Sequence, residues 1–153
     1  MAVCFHATMQ TFSPLINIVV DNGLLYAGPR LHNGIDTQLI HVPGYNVYRR
    51  DRGDGGSGGG VLVYVRYGQP CVPISNLQNP QFQVLWLSFR ANCMPRFETH
   101  LLVGLVYHPP GANNTNMNEY LVSSIDSFSR SHPSCGVIAL GDLNRIPEGP
   151  LCR

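Results

Sequence analysis

Hydrophobic residues in the second two-thirds of the chain fall into strand-like runs separated by turn residues. The runs Val61–Tyr67, Val84–Arg90 and His100–Tyr107 are rich in β-branched, aliphatic and aromatic residues. The third run is almost wholly apolar, which favours a strand covered on both faces. Pro109 and Pro110 end it, because proline cannot donate to a sheet ladder. The pattern predicts a sheet-rich α/β domain.

The segment from Asn116 to His132 has the periodicity of an amphipathic helix. Asn116 is the predicted N-cap, with Glu119 three residues later as in a capping box, and a proline follows the segment. A short buried strand, Gly136–Leu140, comes next. The order strand, helix, strand predicts a crossover unit and leaves open whether the two strands are parallel. The apolar helix face comprises Met117, Tyr120, Leu121, Ile125 and Phe128.

The pattern is weaker before Arg49. Leu15–Val20 is a candidate strand, and Leu39–Tyr48 is a second one around a Pro-Gly turn. The glycine-rich stretch Gly53–Gly60 predicts a flexible hairpin tip or loop, and its glycines match neither the Walker nor the dinucleotide-binding spacing.

Composition is consistent with one folded domain or a part of one. The 153 residues are 44% hydrophobic and only 12% charged, so the chain folds rather than staying disordered. A formal net charge of +1 gives no long-range argument for or against a nucleic-acid partner. Every cationic residue apart from histidine is arginine, which favours planar, bidentate contacts with carboxylate or phosphate. Codon bias is the alternative explanation for the absence of lysine.

The cysteines indicate a reducing compartment. The five at positions 4, 71, 93, 135 and 152 form no CxxC pair and no zinc-like spacing. The first residues lack the features of a signal peptide, and no run reaches the roughly 20 apolar residues that cross a bilayer. We therefore expect an intracellular protein, with the nucleus among its locations, and no membrane partner.

Two polar side chains follow the buried strand Gly136–Leu140. Asp142 and Asn144 are two residues apart, so along a strand they point the same way. A carboxylate there can act as general base or bind a hard cation, and an amide can orient a phosphate or a water. A simple turn is the alternative reading of the same residues.

Tyr107 ends the apolar run His100–Tyr107, where its hydroxyl could bind a phosphate or a scissile oxygen. An ordinary strand-end aromatic above a proline turn is the alternative. Three arginines, Arg49, Arg50 and Arg52, precede the glycine-rich stretch and could contact phosphates. Their alternative role is pairing with the neighbouring acids, Asp51 and Asp54.

In order along the chain, the blocks GYNVYRRDRGDGGSGGGVLVYV, VLWLSF, LVGLVYHPP, the helix and VIALGDLN resemble the endonuclease/exonuclease/phosphatase superfamily. Within it they are most similar to the apurinic-endonuclease-like domain of LINE-type non-LTR retrotransposons. The resemblance covers Leu31 to Leu151. It implies an α/β fold (α+β in some schemes), a DNase I-like two-sheet sandwich flanked by helices, here truncated. Residues 31–153 would be a partial domain of this kind, after an atypical N-terminal segment, residues 1–30.

The resemblance also implies a reaction, the Mg²⁺-dependent hydrolysis of DNA phosphodiester bonds, and a reverse transcriptase as partner in the full-length element. Asp142 would be the general base or metal-linked carboxylate, Asn144 would position the phosphate and the base, and Tyr107 would steady the transition-state phosphate. His108 stands where many relatives have arginine and would contact substrate. Further substrate contacts would come from Arg49, Arg50 and Arg52.

Two departures from the family pattern lower the expected activity. Gly28 stands where the family's principal Mg²⁺ ligand, a glutamate, should be, and no glutamate precedes Glu98. The family's final catalytic histidine would fall beyond Arg153, so the resemblance implies a domain that is incomplete at both ends. We expect a weakly active or inactive nuclease fragment. The alternatives are a catalytically dead module that binds nucleic acid and a phosphodiesterase of another branch of the superfamily.

Overall fold

The computed structural model describes residues 17–20, 24–27, 36–51, 60–90 and 99–143. Within these ranges the chain forms eight β-strands, one α-helix and two 3-10 helices. The strands are β1 (Asn17–Val20), β2 (Leu24–Ala27), β3 (Tyr45–Arg50), β4 (Val61–Arg66), β5 (Cys71–Pro73), β6 (Gln83–Phe89), β7 (His100–Tyr107) and β8 (Cys135–Asp142). The α-helix, α1, spans Asn114–Ser131, and the 3-10 helices span Thr37–Ile40 and Ser75–Leu77.

The strands form two four-stranded sheets. The first sheet has the order β1-β2-β4-β3 and is antiparallel throughout. The second sheet has the order β5-β6-β7-β8, in which β7 and β8 are parallel and the other pairs are antiparallel. Because α1 joins β7 to β8, the predicted crossover unit is confirmed and its two strands are parallel. The chain therefore has an α/β structure with one mixed sheet.

The two sheets pack against each other through apolar side chains. Alternate residues of β4 point towards alternate residues of β6 and β7, as the two-residue period of a strand requires. Val63 and Leu105 at the centre of this layer are fully buried, and each such side chain contributes about 1.5–3 kcal/mol through burial. The inter-sheet cluster comprises Val61, Val63, Val65, Leu85, Leu87, Val103 and Leu105.

Helix α1 covers the other face of the second sheet. Its predicted apolar face is confirmed, because Met117, Leu121 and Phe128 are buried there, and Tyr120 and Ile125 pack beside them. Trp86 of β6 lies opposite Gly104 of β7. A Cβ at Gly104 would collide with the Trp86 ring, so the glycine makes room for the chain's single tryptophan.

The predicted start of the helix is wrong. Asn113, and not Asn116, is the N-cap, and its side chain accepts a hydrogen bond from the Asn116 amide at 3.0 Å. Asparagine occurs at several neighbouring positions. The N-cap is the first of them that has extended backbone and whose side-chain oxygen accepts a hydrogen bond from the amide three residues later. Glu119 therefore lies too far along the helix to complete a capping box with the N-cap.

The predicted strand Leu39–Tyr48 is also wrong in its first half. The side chain of Asp36 caps a 3-10 turn over Thr37–Ile40, accepting from the Gln38 amide at 3.0 Å. Gly44, with φ of +88°, then reverses the chain, so β3 begins only at Tyr45. This segment covers the outer face of the first sheet, where Tyr64 donates a hydrogen bond to the Ile40 carbonyl at 2.6 Å.

The other predicted strands are confirmed to within a few residues, but β2 and β5 were not predicted. Strands β1 and β2 lie within residues 1–30, outside the resemblance, and β2 pairs with β4 over four register positions. In the parts of the chain that the structure describes, no helix combines the length and the apolar character needed to cross a bilayer.

Candidate active site

Tyr107 and Asp142, two of the predicted catalytic residues, lie at the carboxyl ends of β7 and β8 in the second sheet. We call this end of the two strands the Tyr107–Asp142 edge. Tyr107 and Asp142 occupy partner positions in the parallel register, so their backbones are about one strand spacing, roughly 4.8 Å, apart. Pairing continues one step further, because the His108 amide donates to the Asp142 carbonyl at 2.9 Å. Tyr107 packs against the inter-sheet cluster. Both side chains are half-buried, so this edge lies where the two sheets meet.

Gly141 shapes the backbone directly before Asp142. Its φ of +126° is a conformation that residues with a side chain rarely adopt. A Cβ at this position would collide with the Val106 carbonyl of the neighbouring strand. The glycine of the GDLN motif is therefore required for β8 to approach β7 closely at the end that carries Asp142.

His108 points away from solvent. Its side chain is 1% exposed, and its Nε2 lies 2.7 Å from the Asn114 Oδ1 in the first turn of α1. The ring therefore connects the end of β7 to the beginning of the helix.

Arg49 lies against its own strand neighbour. Its guanidinium makes a bidentate ion pair with Asp51, at 2.9 and 2.7 Å, and lies 3.4 Å from the Thr37 hydroxyl. This is the arginine–aspartate pairing that the sequence offered as the alternative role.

Arg50 joins the first sheet to a loop of the second. It donates to the Gln78 side chain at 2.8 Å, to the Asn79 carbonyl at 2.6 Å and to the Phe82 carbonyl at 3.3 Å. Charge-assisted hydrogen bonds of this kind are stronger than neutral ones. The contacts fix the amide-rich loop, residues 78–82, that leads into β6.

Tyr120 of α1 holds the same loop from the other side. Its hydroxyl donates to the Leu77 carbonyl at 2.6 Å and accepts from the Trp86 indole at 3.0 Å. Its ring stacks on Phe82 with centroids 4.5 Å apart. Burial raises the pKa of Tyr120. The amide-rich loop is thus fixed by contacts from both the first sheet and the helix.

A cavity of about 260 Å³ lies between this loop and the N-terminus of α1. It lies on the α1 face of the second sheet, near the ends of β6 and β7 that carry Gln83 and His108, whereas Tyr107 packs on the opposite face of the sheet. No Asp, Glu or Arg side chain lines it among the described residues. The residues that line it are Gln81, Phe82, Gln83, His108, Pro109, Ala112, Asn113, Asn116 and Met117.

The sequence interpretation missed this cavity, although a signal was present. Two short stretches, Gln78–Gln83 and Asn113–Asn118, are unusually rich in asparagine and glutamine. Clustered carboxamides beside a strand end could have indicated a neutral polar site. The stretches are remote in sequence, so their meeting could not be inferred from composition.

Three of the predicted positions lie outside the described residues: Asn144, Arg52 and Gly28. Within the described part of the chain, no three His, Cys, Asp or Glu side chains converge as a metal site. Asp142 supplies a single carboxylate. Mg²⁺ is usually held by one or two protein carboxylates together with substrate phosphate oxygens, so Asp142 meets the minimum for such a site when a phosphate completes it.

Neither the protein-family models nor the curated proteins include a significant match to this chain.

Proposed function

We propose that the chain carries a phosphodiester-hydrolysing site of the endonuclease/exonuclease/phosphatase type, with DNA as substrate and with weak activity. The observation that supports this most is the pairing of Tyr107 with Asp142 at one sheet edge. Two packed sheets with a helix on the outer face of one are compatible with a DNase I-like sandwich. Fold alone does not fix function, so the proposal rests on the edge and its residues.

In the proposed reaction, the Asp142 carboxylate accepts a proton from a water that attacks phosphorus. The phosphorus–oxygen bond to the leaving nucleoside breaks, and the released oxygen takes a proton from solvent. The Tyr107 hydroxyl donates a hydrogen bond to a non-bridging phosphate oxygen, where negative charge accumulates in the transition state. Asn144, two residues after Asp142, is the proposed orienting amide. The half-buried setting of Tyr107 and Asp142 strengthens both interactions relative to those on an open surface.

Mg²⁺ would be held by Asp142 and by the phosphate oxygens, and when bound it would polarise the phosphoryl group. Gly28 would contribute no ligand in place of the family's glutamate. Because a single carboxylate binds Mg²⁺ weakly, we propose slow turnover rather than efficient nicking.

The arginine contacts favour the enzyme over a simple nucleic-acid-binding module. Arg49 is paired with Asp51, and Arg50 binds the amide-rich loop. Moving either guanidinium to a phosphate would break existing charge-assisted bonds of about 1.5–3 kcal/mol each. The reverse transcriptase partner remains part of the proposal for a full-length element.

A nicking assay with supercoiled plasmid and Mg²⁺ tests the proposal. We expect slow conversion to open circles, reduced at least tenfold by Asp142→Asn and by Tyr107→Phe. Asp126→Asn, which removes an exposed carboxylate from α1, is the matched control and should leave the rate unchanged.

If hydrolysis is too slow to detect, binding of a dinucleotide can be measured instead. Thymidylyl-thymidine with Mg²⁺, titrated into ¹⁵N-labelled protein, should shift the backbone amides of Asp142 and Leu143 in a saturable manner, and Asp142→Asn should remove the effect. Absence of both nicking and a saturable shift at this edge would overturn the proposal.

A further inference from the structure

Basic side chains meet at the opposite end of the second sheet from the Tyr107–Asp142 edge. Arg90 follows β6 and His100 begins β7, and their side chains are in contact, with 3.2 Å between the Arg90 Nε and the His100 Nε2. The ring of His132, the C-cap of α1, lies beside that of His100, with centroids 4.4 Å apart. Two strands and the helix thus bring three basic side chains to one place.

The contact between Arg90 and His100 determines which imidazole nitrogen carries the proton. An arginine Nε keeps its proton and can only donate, so the His100 Nε2 accepts and the ring is neutral in this arrangement. The ring proton is then on Nδ1, which lies 3.1 Å from the Thr99 hydroxyl. A second proton on the ring would place its N–H against the Arg90 Nε–H. Protonation of His100 therefore breaks this bond and leaves two charged donors side by side, both in need of an acceptor.

The groups that face His100 from the elements packed around it supply no negative charge. Arg90 faces it from the end of β6, His132 and the Phe128 ring from α1, and Cys135, its register partner, from β8. Among the described residues, no carboxylate forms an ion pair with these basic side chains. Burial, His132 and Arg90 all lower the pKa of His100. An anion in contact with the cluster would oppose the effect of the two neighbouring cations.

The helix terminus and a metal ion each explain this cluster less well than an anion does. A cation is favoured at the C-terminal end of α1, where the His132 Nδ1 is 3.2 Å from the Phe128 carbonyl oxygen. Arg90, however, is bonded to His100 and not to the helix. A metal ion would meet a guanidinium beside one imidazole, and in the part of the chain that the structure describes no three His, Cys, Asp or Glu side chains converge.

From these contacts we infer that Arg90 and His100, with His132 beside them, form a binding site for a doubly charged oxyanion such as sulfate or a terminal phosphate group. The anion enters together with a proton on His100. It accepts hydrogen bonds from the Arg90 guanidinium and from the protonated His100 Nε2, which no longer bond to each other. Such charge-assisted bonds are shorter and stronger than neutral ones. The site uses no residue of the proposed hydrolytic pair and lies at the other end of β7.

Sulfate is the probe for this site, because it stays doubly charged at both pH 5.5 and pH 7.5. It is titrated into the isotope-labelled full chain at each pH, with sodium chloride keeping the ionic strength constant. At pH 5.5 we expect a saturable shift of the His100 ring and Leu101 amide signals, with a dissociation constant in the millimolar range. Binding at pH 7.5 should be at least about tenfold weaker, because one linked proton can change the affinity by up to about tenfold per pH unit.

Two pairs of variants assign the binding to this cluster. Arg90→Gln removes an exposed donor and should weaken sulfate binding at pH 5.5 about five- to tenfold. Arg66→Gln, which removes the same charge from an exposed position at the end of β4, is its matched control and should change the affinity less than about twofold. His100→Gln should reduce the ratio of the affinities at the two pH values to below about threefold, whereas His41→Gln, in an exposed loop, should leave that ratio unchanged.

Several results would overturn the anion site. One is the absence of a saturable shift at pH 5.5 up to about 50 mM sulfate, which is well above the expected range. Another is equal weakening by Arg90→Gln and Arg66→Gln, which would indicate a general attraction of anions to a positively charged protein. Equal affinity at the two pH values would remove the linked proton on His100.

Two further measurements define the ligand and separate this site from the proposed function. Dimethyl phosphate, a singly charged model of a nucleic-acid backbone, should bind at least about fivefold more weakly than sulfate because it carries half the charge; equal affinity would contradict a site for a doubly charged group. Asp142→Asn should leave sulfate binding unchanged. The anion site and the hydrolytic site can therefore fail independently of each other.

Discussion

The two ends of the parallel pair β7–β8 differ although the strands are the same. At the amino end, His100 lies among the rings of Phe128 and His132, the latter pair stacked with centroids 4.2 Å apart. At the carboxyl end, Tyr107 and Asp142 are half-buried, and a cavity lies between the residue 78–82 loop and the start of α1.

The difference shows that one end of a strand–helix–strand unit can stabilise the fold while the other end carries polar groups. Near the C-terminal end of α1, Phe128 and His132 pack against His100 of β7. The N-terminal end of α1 follows a turn and lines the cavity. Packing at the first end stabilises the sheet, so that the second end can expose polar groups. Changes at the ring end should therefore affect stability most, and changes at the polar end should affect binding.

The largest expected effect comes from Phe128→Ala at the ring end. Phe128 is 4% exposed and belongs to the core beneath α1, so truncation leaves a cavity and should lower the free energy of unfolding by about 3–5 kcal/mol. Urea unfolding measures it. Tyr67→Ala, at a tyrosine that is 55% exposed, should change the midpoint little. Equal losses in the two variants would contradict the assignment of Phe128 to the core.

A smaller loss is expected from Gly141→Ala at the polar end. The new Cβ meets the Val106 carbonyl at a φ of +126°, which should cost about 2–4 kcal/mol and displace Asp142. Gly111→Ala is the matched control, because Gly111 has φ of +82° with nothing within 4 Å of its Cβ. It should cost about 1 kcal/mol. A loss at Gly141 no greater than at Gly111 would show that the close approach of β8 to β7 is not required.

The smallest expected effect is the pH dependence of the ring end. Burial lowers the pKa of His100, as do the nearby His132 and Arg90. In the unfolded chain His100 therefore takes up a proton near pH 6.5, whereas in the folded chain it does so only at lower pH. The free energy of unfolding accordingly falls as the pH drops through 6.5, and it stops falling below the pKa of His100 in the folded chain.

Thermal unfolding at pH 7.5 and pH 5.5 measures this loss. The decrease in midpoint should be smaller in His100→Gln than in the original chain, by on the order of 1 °C. His41→Gln, in an exposed loop, serves as control. A decrease unchanged by His100→Gln would remove His100 as its source.

Local pattern was sufficient to predict much of this protein. The apolar runs specified β4, β6 and β7 almost residue by residue, and the spacing of Met117, Leu121 and Phe128 specified the buried face of α1. These features depend on periodicity along the chain, which the sequence displays directly. The position of Asp142 just beyond a buried run likewise put it at a strand end.

Tertiary structure alone decided the rest, because it depends on partners remote in sequence. Register made Tyr107 and Asp142 neighbours across 35 positions, which no local pattern encodes. A contact with residues 78–82 gave Arg50 a structural role. Among several asparagines, only the path of the chain from β7 selected Asn113 as the N-cap. The cavity arose where two amide-rich stretches met, and strand pairing brought them together.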